Sequence, residues 1–584
     1  MSTLGAEYAV VMDRSKSVAT LINNDLVLPF APNSEISKKI ARLVSFRKGV
    51  LLTPAALDLL DVSTFIYYAD KYCPRAPREG WCRTFKMDVQ LRDPQGFRAV
   101  AKKLELALTI LSGDNYTFQV TEFINAPVPA IRIKPPRARN PNSVALFSGG
   151  LDSVAGAVKL LSEGETPLFL RVSTHDKVDV EPLFQGLVRL GHFFWMKTGI
   201  VKLTNGSSEE PLTKEPSQRA RSFFFLGQAT FVAFMNDIEK IFVNENGIMG
   251  VHVPLDFSRA STFSTRTVYP PFVQLFNEIV NTWLKRDFKV ANLFEVDTKA
   301  EVLEWFNKTN TKNLVPLTVS CAHSANIQQL RAQATVYPIN LAPSGKHCGY
   351  CFPCILRRMS IHSAGLDAVD VEYGVDAFEA VSITSKDKPK YLEEAASAVI
   401  GLLRFTSKYL ATTNERKPFV FSQISECAPV IEGEGRSKLI RLHDSFVAEV
   451  MDYLSSKYPY FVEQVIGNTG HDAAVAQVLA PENFSRLIDQ VADDITPGAE
   501  RRLLKLLRNE RWLITRLIIH SEYNVEKVNE VLLGRLRAEL SIVPEQRIEK
   551  LNSDQVSALE KSTRNSGCQC SFWTDILRRK PRGA

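Results

Sequence analysis

Apolar positions change period along this chain, and the changes mark out three regions. The first helical pattern is TPAALDLLDVSTFIYYADKY, followed by the alternating run RTFKMDVQL, a 3.6-period helix through FRAVAKKLELALTILSG and the strand-like YTFQVTEF. These predict a mixed α/β domain over residues 1–138 with its strands in pairs. A Pro- and Arg-rich tract, AIRIKPPRARNPNS (130–143), interrupts the pattern. Beyond it a strand VALF, a Gly-rich turn, a helix through VAGAVKLL and a strand PLFLRV open a strand–helix alternation that predicts a parallel sheet over 139–380. After SITSKDKPKY (382–391) the strands fade, and tracts such as RSKLIRLHDSFVAEVMDYLSSKY predict an all-helical region over 381–584. The fold class expected is therefore α/β, with a central parallel-sheet domain between an N-terminal α/β domain and a C-terminal all-α domain.

Composition narrows the setting. In 584 residues, 45% are hydrophobic and no run approaches the 20 apolar residues a membrane helix needs; Glu7 and Asp13 sit where a secretion signal would carry basic residues. Nine Cys are too sparse for a disulfide framework, which predicts a cytoplasmic protein. The net charge of +7, from 71 basic and 64 acidic residues, permits nucleotide or nucleic-acid contact without requiring it.

Two tracts carry chemistry. In SVALFSGGLDSVAGAVKLL an apolar strand runs into Ser148, Gly149, Gly150, Leu151, Asp152 and Ser153 and then a helix. Paired glycines let the backbone turn sharply and offer N–H groups to an anion, and the helix start adds the positive end of its dipole. Pyrophosphate suits such a turn. No Gly-Lys-Ser/Thr follows and the pattern is not GxGxxG, so the P-loop and dinucleotide-binding classes are disfavoured. In KHCGYCFPCILRR, Cys348, Cys351 and Cys354 stand three apart, with Cys321 earlier in LTVSCAHS. Four thiolates make a closed, structural zinc site; a site of three cysteines and one histidine, using His323, His347 or His362, an iron–sulfur cluster and plain core thiols are the alternatives.

The turn resembles the SGGxDS signature of the PP-loop N-type ATP pyrophosphatases. Together with TVSC before HCGYCFPCILRR, the stretch 141–375 resembles the 7-cyano-7-deazaguanine synthase (QueC) family. QRARSFFFLGQA (218–229) and STFSTRTVYPPF (261–272) are similar to that family's Arg-containing helix start and substrate loop. The resemblance implies ATP, Mg²⁺ and structural Zn²⁺ as cofactors, and adenylation of a 7-deazaguanine carboxylate followed by attack of an amine. By that likeness Ser148, Gly149, Gly150, Leu151, Asp152 and Ser153 hold the phosphates, with Asp152 close to Mg²⁺. Val172 and Ser173 border the adenine, Arg219 and Arg221 stabilise phosphate charge, and Arg266 with Ser264 and Thr265 faces the heterocycle or its carboxylate. Asp152, Ser153 and Arg221 are the catalytic candidates. His175 and Asp176 suit a turn better than an acid–base pair.

The flanking regions depart from the family, whose members are little more than the central domain. No His precedes His175, so the first region houses no Cys–His glutaminase and the amine comes from solution or a partner. The long architecture is similar to the QueC-like proteins of bacterial anti-phage defence operons, those of the Qat system among them, which implies partner proteins from the same operon and an amine nucleophile on one of them. A second class stays open. Arg501, Arg502, Lys505, Arg508, Arg511, Arg516 and the tail RRKPRG would let the C-terminal helices grip RNA or DNA, as a tRNA-thiolating PP-loop enzyme would. Such an enzyme needs a reactive Cys pair near the nucleotide; none lies between Asp152 and Cys321, and Cys568 and Cys570 are remote in sequence.

Overall fold

The computed structural model describes residues 6–16, 19–22, 24–31, 36, 52–75, 82–124, 140–173, 179–199, 214–215, 217–251, 266–323, 347–381, 390–411, 418–459 and 461–462. Most of the linker 130–143, His175, Asp176, Ser264, Thr265, the basic residues from Arg501 onward, Cys568 and Cys570 lie outside them. The chain divides into two compact units. One comprises 1–382, 390–401 and 415–457; the other comprises 383–389, 402–414 and 458–584. In the second, the described residues 402–411 are helical.

The first unit contains two five-stranded sheets. In the N-terminal sheet, strands β1 (Glu7–Asp13), β2 (Thr20–Ile22), β3 (Asp25–Pro29), β4 (Thr84–Leu91) and β5 (Asn115–Glu122) lie in the order β2-β3-β1-β4-β5. Only β2–β3 is antiparallel. The two strands expected at RTFKMDVQL and YTFQVTEF are β4 and β5. They are joined as a parallel βαβ unit through helix α2 (Pro94–Ser112), so the strands form one sheet rather than separate pairs. Helix α2 begins where the Asp93 carboxylate accepts from Gly96 N–H at 3.0 Å and ends at Gly113, whose φ of +75° suits a residue without Cβ. Helix α1 (Pro54–Tyr72) is buried on nearly every residue, and its buried carboxylates Asp58, Asp61 and Asp70 are paired with Arg92 and Arg83.

The central sheet is entirely parallel. Strands β6 (Ser143–Leu146), β7 (Pro167–Ser173), β8 (Phe194–Gly199), β9 (Lys240–Val243) and β10 (Lys289–Asn292) lie in the order β10-β9-β6-β7-β8. The chain runs outward from β6 to β8, then returns to the other side of β6 through helix α5 (Arg221–Asn236). Right-handed crossovers then set helix α3 (Leu151–Ser162) and α5 on opposite faces. On the α3 side, Leu151, Val154, Ala155, Val158 and Leu161 form a core with Phe169, Leu183, Phe184 and Phe306. On the other side, α5 crosses α1 so closely that a Cβ on Gly227 would lie 2.6 Å from the Ser63 Cβ, and Tyr67 packs on Phe224 with ring centroids 4.9 Å apart. Sharing α1 joins the two sheets in one unit.

A buried charge network closes the same junction. Asp114 receives both terminal nitrogens of Arg75 at 2.7 Å and Arg83 Nη2 at 2.7 Å, while Asp70 pairs with Arg83 and accepts from Ala220 N–H at 2.7 Å at the threshold of α5. Removing one partner strands buried charge. Asp114→Ala is therefore expected to lower stability by about 3–5 kcal/mol, read as a shifted midpoint in urea unfolding.

Candidate functional site

In a parallel α/β sheet, ligands collect outside the carboxyl ends of the strands where the order reverses. Here that point is the end of β6, flanked by β7 and β9, and the residues that follow β6 are Phe147–Gly150. The glycine pair thus stands where the topology alone would place a site. Gly149 has φ +83°, a left-handed conformation that L side chains avoid.

Two serines build the bend from inside. Ser153 Oγ accepts from Gly149 N–H at 3.1 Å and from the Ser148 hydroxyl at 3.1 Å, and donates to the Gly150 carbonyl at 2.9 Å. Ser148 Oγ in turn accepts from Gly150 N–H at 3.2 Å. The Ser153 hydroxyl is saturated within the bend, so what this residue offers an incoming anion is its backbone N–H. Gly150 is the N-cap of α3, and no side chain caps that helix. The first-turn amides of Leu151, Asp152 and Ser153 precede the first intrahelical bond, from Val154 N–H to the Gly150 carbonyl at 3.0 Å.

Gly150 has ordinary φ and ψ of −81° and 165°, and a Cβ there would meet nothing closer than Ser148 Oγ at 3.4 Å and the Val319 carbonyl at 3.5 Å. The fold therefore tolerates a side chain at 150. A close-approaching phosphate would not.

Asp152 is buried, and both its oxygens are committed. Oδ1 forms a salt bridge with Lys299, and Oδ2 accepts from Asn246 Nδ2 at 2.8 Å. Burial pushes the carboxyl upward, but the Lys299 charge and the hydrogen bonds from Lys299 and Asn246 outweigh it and hold the group below its ordinary 3.8. A Mg²⁺-ligand role for Asp152 does not fit this arrangement, because Lys299 already occupies the cation's place. Asp152 instead ties α3 to the turn after β9 and to the start of helix α7 (Lys299–Lys308). Lys299 and Asn246 escaped the sequence reading. One signal was present: Lys299 follows the N-cap Thr298 of a capping box, where the helix dipole disfavours a cation, so its charge needs a partner elsewhere.

The remaining candidates separate. Val172 is half-buried near the end of β7, beside the bend, with Phe147 N–H donating to the Leu170 carbonyl at 2.9 Å; Ser173 ends that strand. Arg221 is exposed as the first residue of α5. Arg219 is fully buried in the charge network of the N-terminal sheet and reaches the Ser112 carbonyl at 3.4 Å. Burial and the neighbouring Arg75 charge bring its guanidinium down to about 10. Of the two arginines, Arg221 is the one presented to solvent. Arg266 donates to the Ile110 carbonyl at 2.6 Å and lies over the Tyr269 ring at 4.9 Å, anchored against the end of α2.

The cysteine tract folds as the spacing requires. The sulfurs of Cys321, Cys348, Cys351 and Cys354 all lie within 4.8 Å of one another, and a tetrahedral zinc with bonds of about 2.3 Å needs edges of about 3.8 Å. Gly349, with φ +86°, makes the knuckle after Cys348; a Cβ there would come within 1.9 Å of the Val375 carbonyl. Cys351 is the N-cap of helix α8 (Phe352–Ser363), which carries Cys354 in its first turn. Cys348 N–H donates to Cys321 Sγ at 3.3 Å and Cys351 N–H to Cys348 Sγ at 3.4 Å. Hydrogen bonding within the cluster lowers the Cys321 and Cys351 thiols and raises those of Cys348 and Cys354, as expected of sulfurs held close enough to share protons.

The histidines weighed as fourth ligand are engaged elsewhere. His323 bonds Glu394 at 2.9 Å, which raises its pKa and favours the cation; His347 Nε2 accepts from Ser320 N–H at 3.1 Å; and His362 Nδ1 bonds Asp367 at 3.0 Å. The four cysteines form a closed set fitted to a structural tetrahedral metal.

No helix among the described residues is long and apolar enough to cross a membrane. Compared with protein-family models and with curated proteins, the chain matches none.

Two outcomes follow from these geometries. Lys299→Met leaves Asp152 buried without its cation and is expected to cost about 3 kcal/mol at pH 7. Because the folded-state pKa of Asp152 is depressed, that stabilisation is complete above 3.8 and disappears as pH falls through the lower folded value. Urea midpoints of wild type and variant should therefore converge in acid; a gap that stays constant with pH would refute the pairing. Cys321→Ser should release bound zinc measured by atomic emission, whereas His323→Ala should retain it.

Proposed function

We propose that this chain is an ATP-dependent ligase of the PP-loop type, forming AMP and pyrophosphate, that adenylates a carboxylate on a 7-deazaguanine-type small molecule. The resemblance of SGGLDS and of the cysteine tract to the QueC family supplies the substrate class. The observation that carries the nucleotide reading is Gly150: its surroundings leave room for a Cβ, yet the position above an uncapped helix start is kept bare, as close approach of a phosphate demands.

The chemistry asked of these residues is electrostatic. The substrate carboxylate forms a bond to the α phosphorus while the bond to the β-phosphate oxygen breaks, and negative charge grows on the departing pyrophosphate. The N–H groups of Leu151, Asp152 and Ser153 and the α3 dipole are fixed in advance to meet that charge, and Arg221 is the side-chain cation offered to it. Asp152 enters by holding the helix start in register with Lys299 and Asn246. An amine then attacks the acyl carbon and AMP leaves. In the defence setting implied by the resemblance, that amine is ammonia or a group on a partner protein. The four-cysteine centre supplies structure, because four protein ligands leave no open position on a tetrahedral metal.

With 7-carboxy-7-deazaguanine present, the purified chain should exchange labelled pyrophosphate into ATP. Gly150→Ala should reduce that exchange by about 10²-fold while costing about 1 kcal/mol or less in stability. Wild-type exchange in Gly150→Ala, or none in the unaltered protein with its metal bound, would sink the proposal. Adding candidate partner proteins and weighing them by mass spectrometry separates the acceptors: a mass increase on a protein marks an amine there, and a free amide or nitrile marks ammonia.

A further inference from the structure

Between the end of the central sheet and the cysteine centre runs a four-residue strap, Thr318–Cys321, and each of its residues is anchored to something different. Thr318 Oγ1 accepts from Arg357 Nη1 of α8 at 2.7 Å. Val319 N–H donates to the Gly149 carbonyl at 3.1 Å. Ser320 N–H donates to His347 Nε2 at 3.1 Å. Cys321 is one of the four clustered thiols, and its sulfur accepts from Cys348 N–H at 3.3 Å.

The Val319 bond matters most because of what it grips. A trans peptide places its carbonyl and the following N–H on opposite sides. Pinning the Gly149 carbonyl to the strap therefore fixes the direction of Gly150 N–H and the entry into α3. A glycine in the left-handed region gives this peptide little steric resistance to rotation, so its direction rests on two hydrogen bonds, from Gly150 N–H to Ser148 Oγ inside the bend and from the strap to the Gly149 carbonyl.

We infer that the four-cysteine centre positions the phosphate bend through Val319, so that metal occupancy sets the anion affinity of a site it does not touch. The inference rests on the nucleotide reading above for its ligand, but its physical content is the order of the bend. Metal holds Cys321; Cys321 and Ser320 hold the strap; Val319 holds the Gly149–Gly150 peptide. Loss of metal, by chelation or by oxidation of the thiols, frees the far end of the strap and lets that peptide turn.

The test uses the full chain with its metal bound. Val319→Pro deletes one N–H and no ligand, and Thr318 has ψ of 150°, a conformation compatible with a following proline. The variant should keep its metal content, bind Mg·ATP about tenfold or more weakly by calorimetry, and exchange amide hydrogens in 147–154 about tenfold faster. Val319→Ala, which keeps the N–H, should match wild type in both measurements. Metal-stripped wild type should show the same two losses, and this comparison stands without the proline variant. Wild-type protection of 147–154 in both Val319→Pro and the stripped protein would overturn the inference. Absence of ATP binding in the metal-replete wild type would instead overturn the nucleotide reading, leaving the exchange data to decide the strap's role.

Discussion

The arrangement around the bend depends on one buried carboxylate. Asp152 joins three pieces of backbone that the topology brings to the same edge of the sheet: the start of α3, the turn after β9 and the start of α7. A carboxylate buried without a cation would be driven to protonate, so Lys299 is what lets a charged group sit there. With that pair neutral overall, the amides at the head of α3 remain the local source of positive potential. The ion pair thus sets the frame, and the glycines supply the shape.

That frame connects to the cysteine centre by main-chain and side-chain hydrogen bonds together. The strap lies against the bend, the knuckle at Gly349 lies against 373–375, and Arg357 of α8 reaches back to Asp370 and the Val315 carbonyl. A short segment with every residue anchored thus lies between the four-cysteine set and the bend.

Local chemistry was legible in the sequence because it is written in consecutive residues. The bend needs its glycines and serines within six positions, and three of the four thiols fall within seven; both tracts form as their spacing demanded. What escaped was tertiary. Asn246 and Lys299 meet Asp152 across 94 and 147 residues, and no period or motif links them in advance. Arg219 and Arg221 look alike in the sequence, two positions apart. The start of α5 nevertheless turns one into the Asp70–Asp114 network and leaves the other in solvent. The N-terminal strands were expected to pair locally, yet β4 and β5 are parallel and enclose α2 as a crossover, an ordering that alternation alone does not reveal.

The near-complete burial of α1 bears on how the protein can be taken apart. One side of that helix supports the strands that precede the linker and the other carries α5, so both layers draw on a single hydrophobic element. Excising the first 130 or so residues to obtain the central sheet alone would strip Tyr67 and Ser63 from Phe224 and Gly227 and expose an aromatic face in their place. The region ahead of the linker is therefore an inner wall of the central sheet, and a fragment lacking it should be sticky rather than soluble.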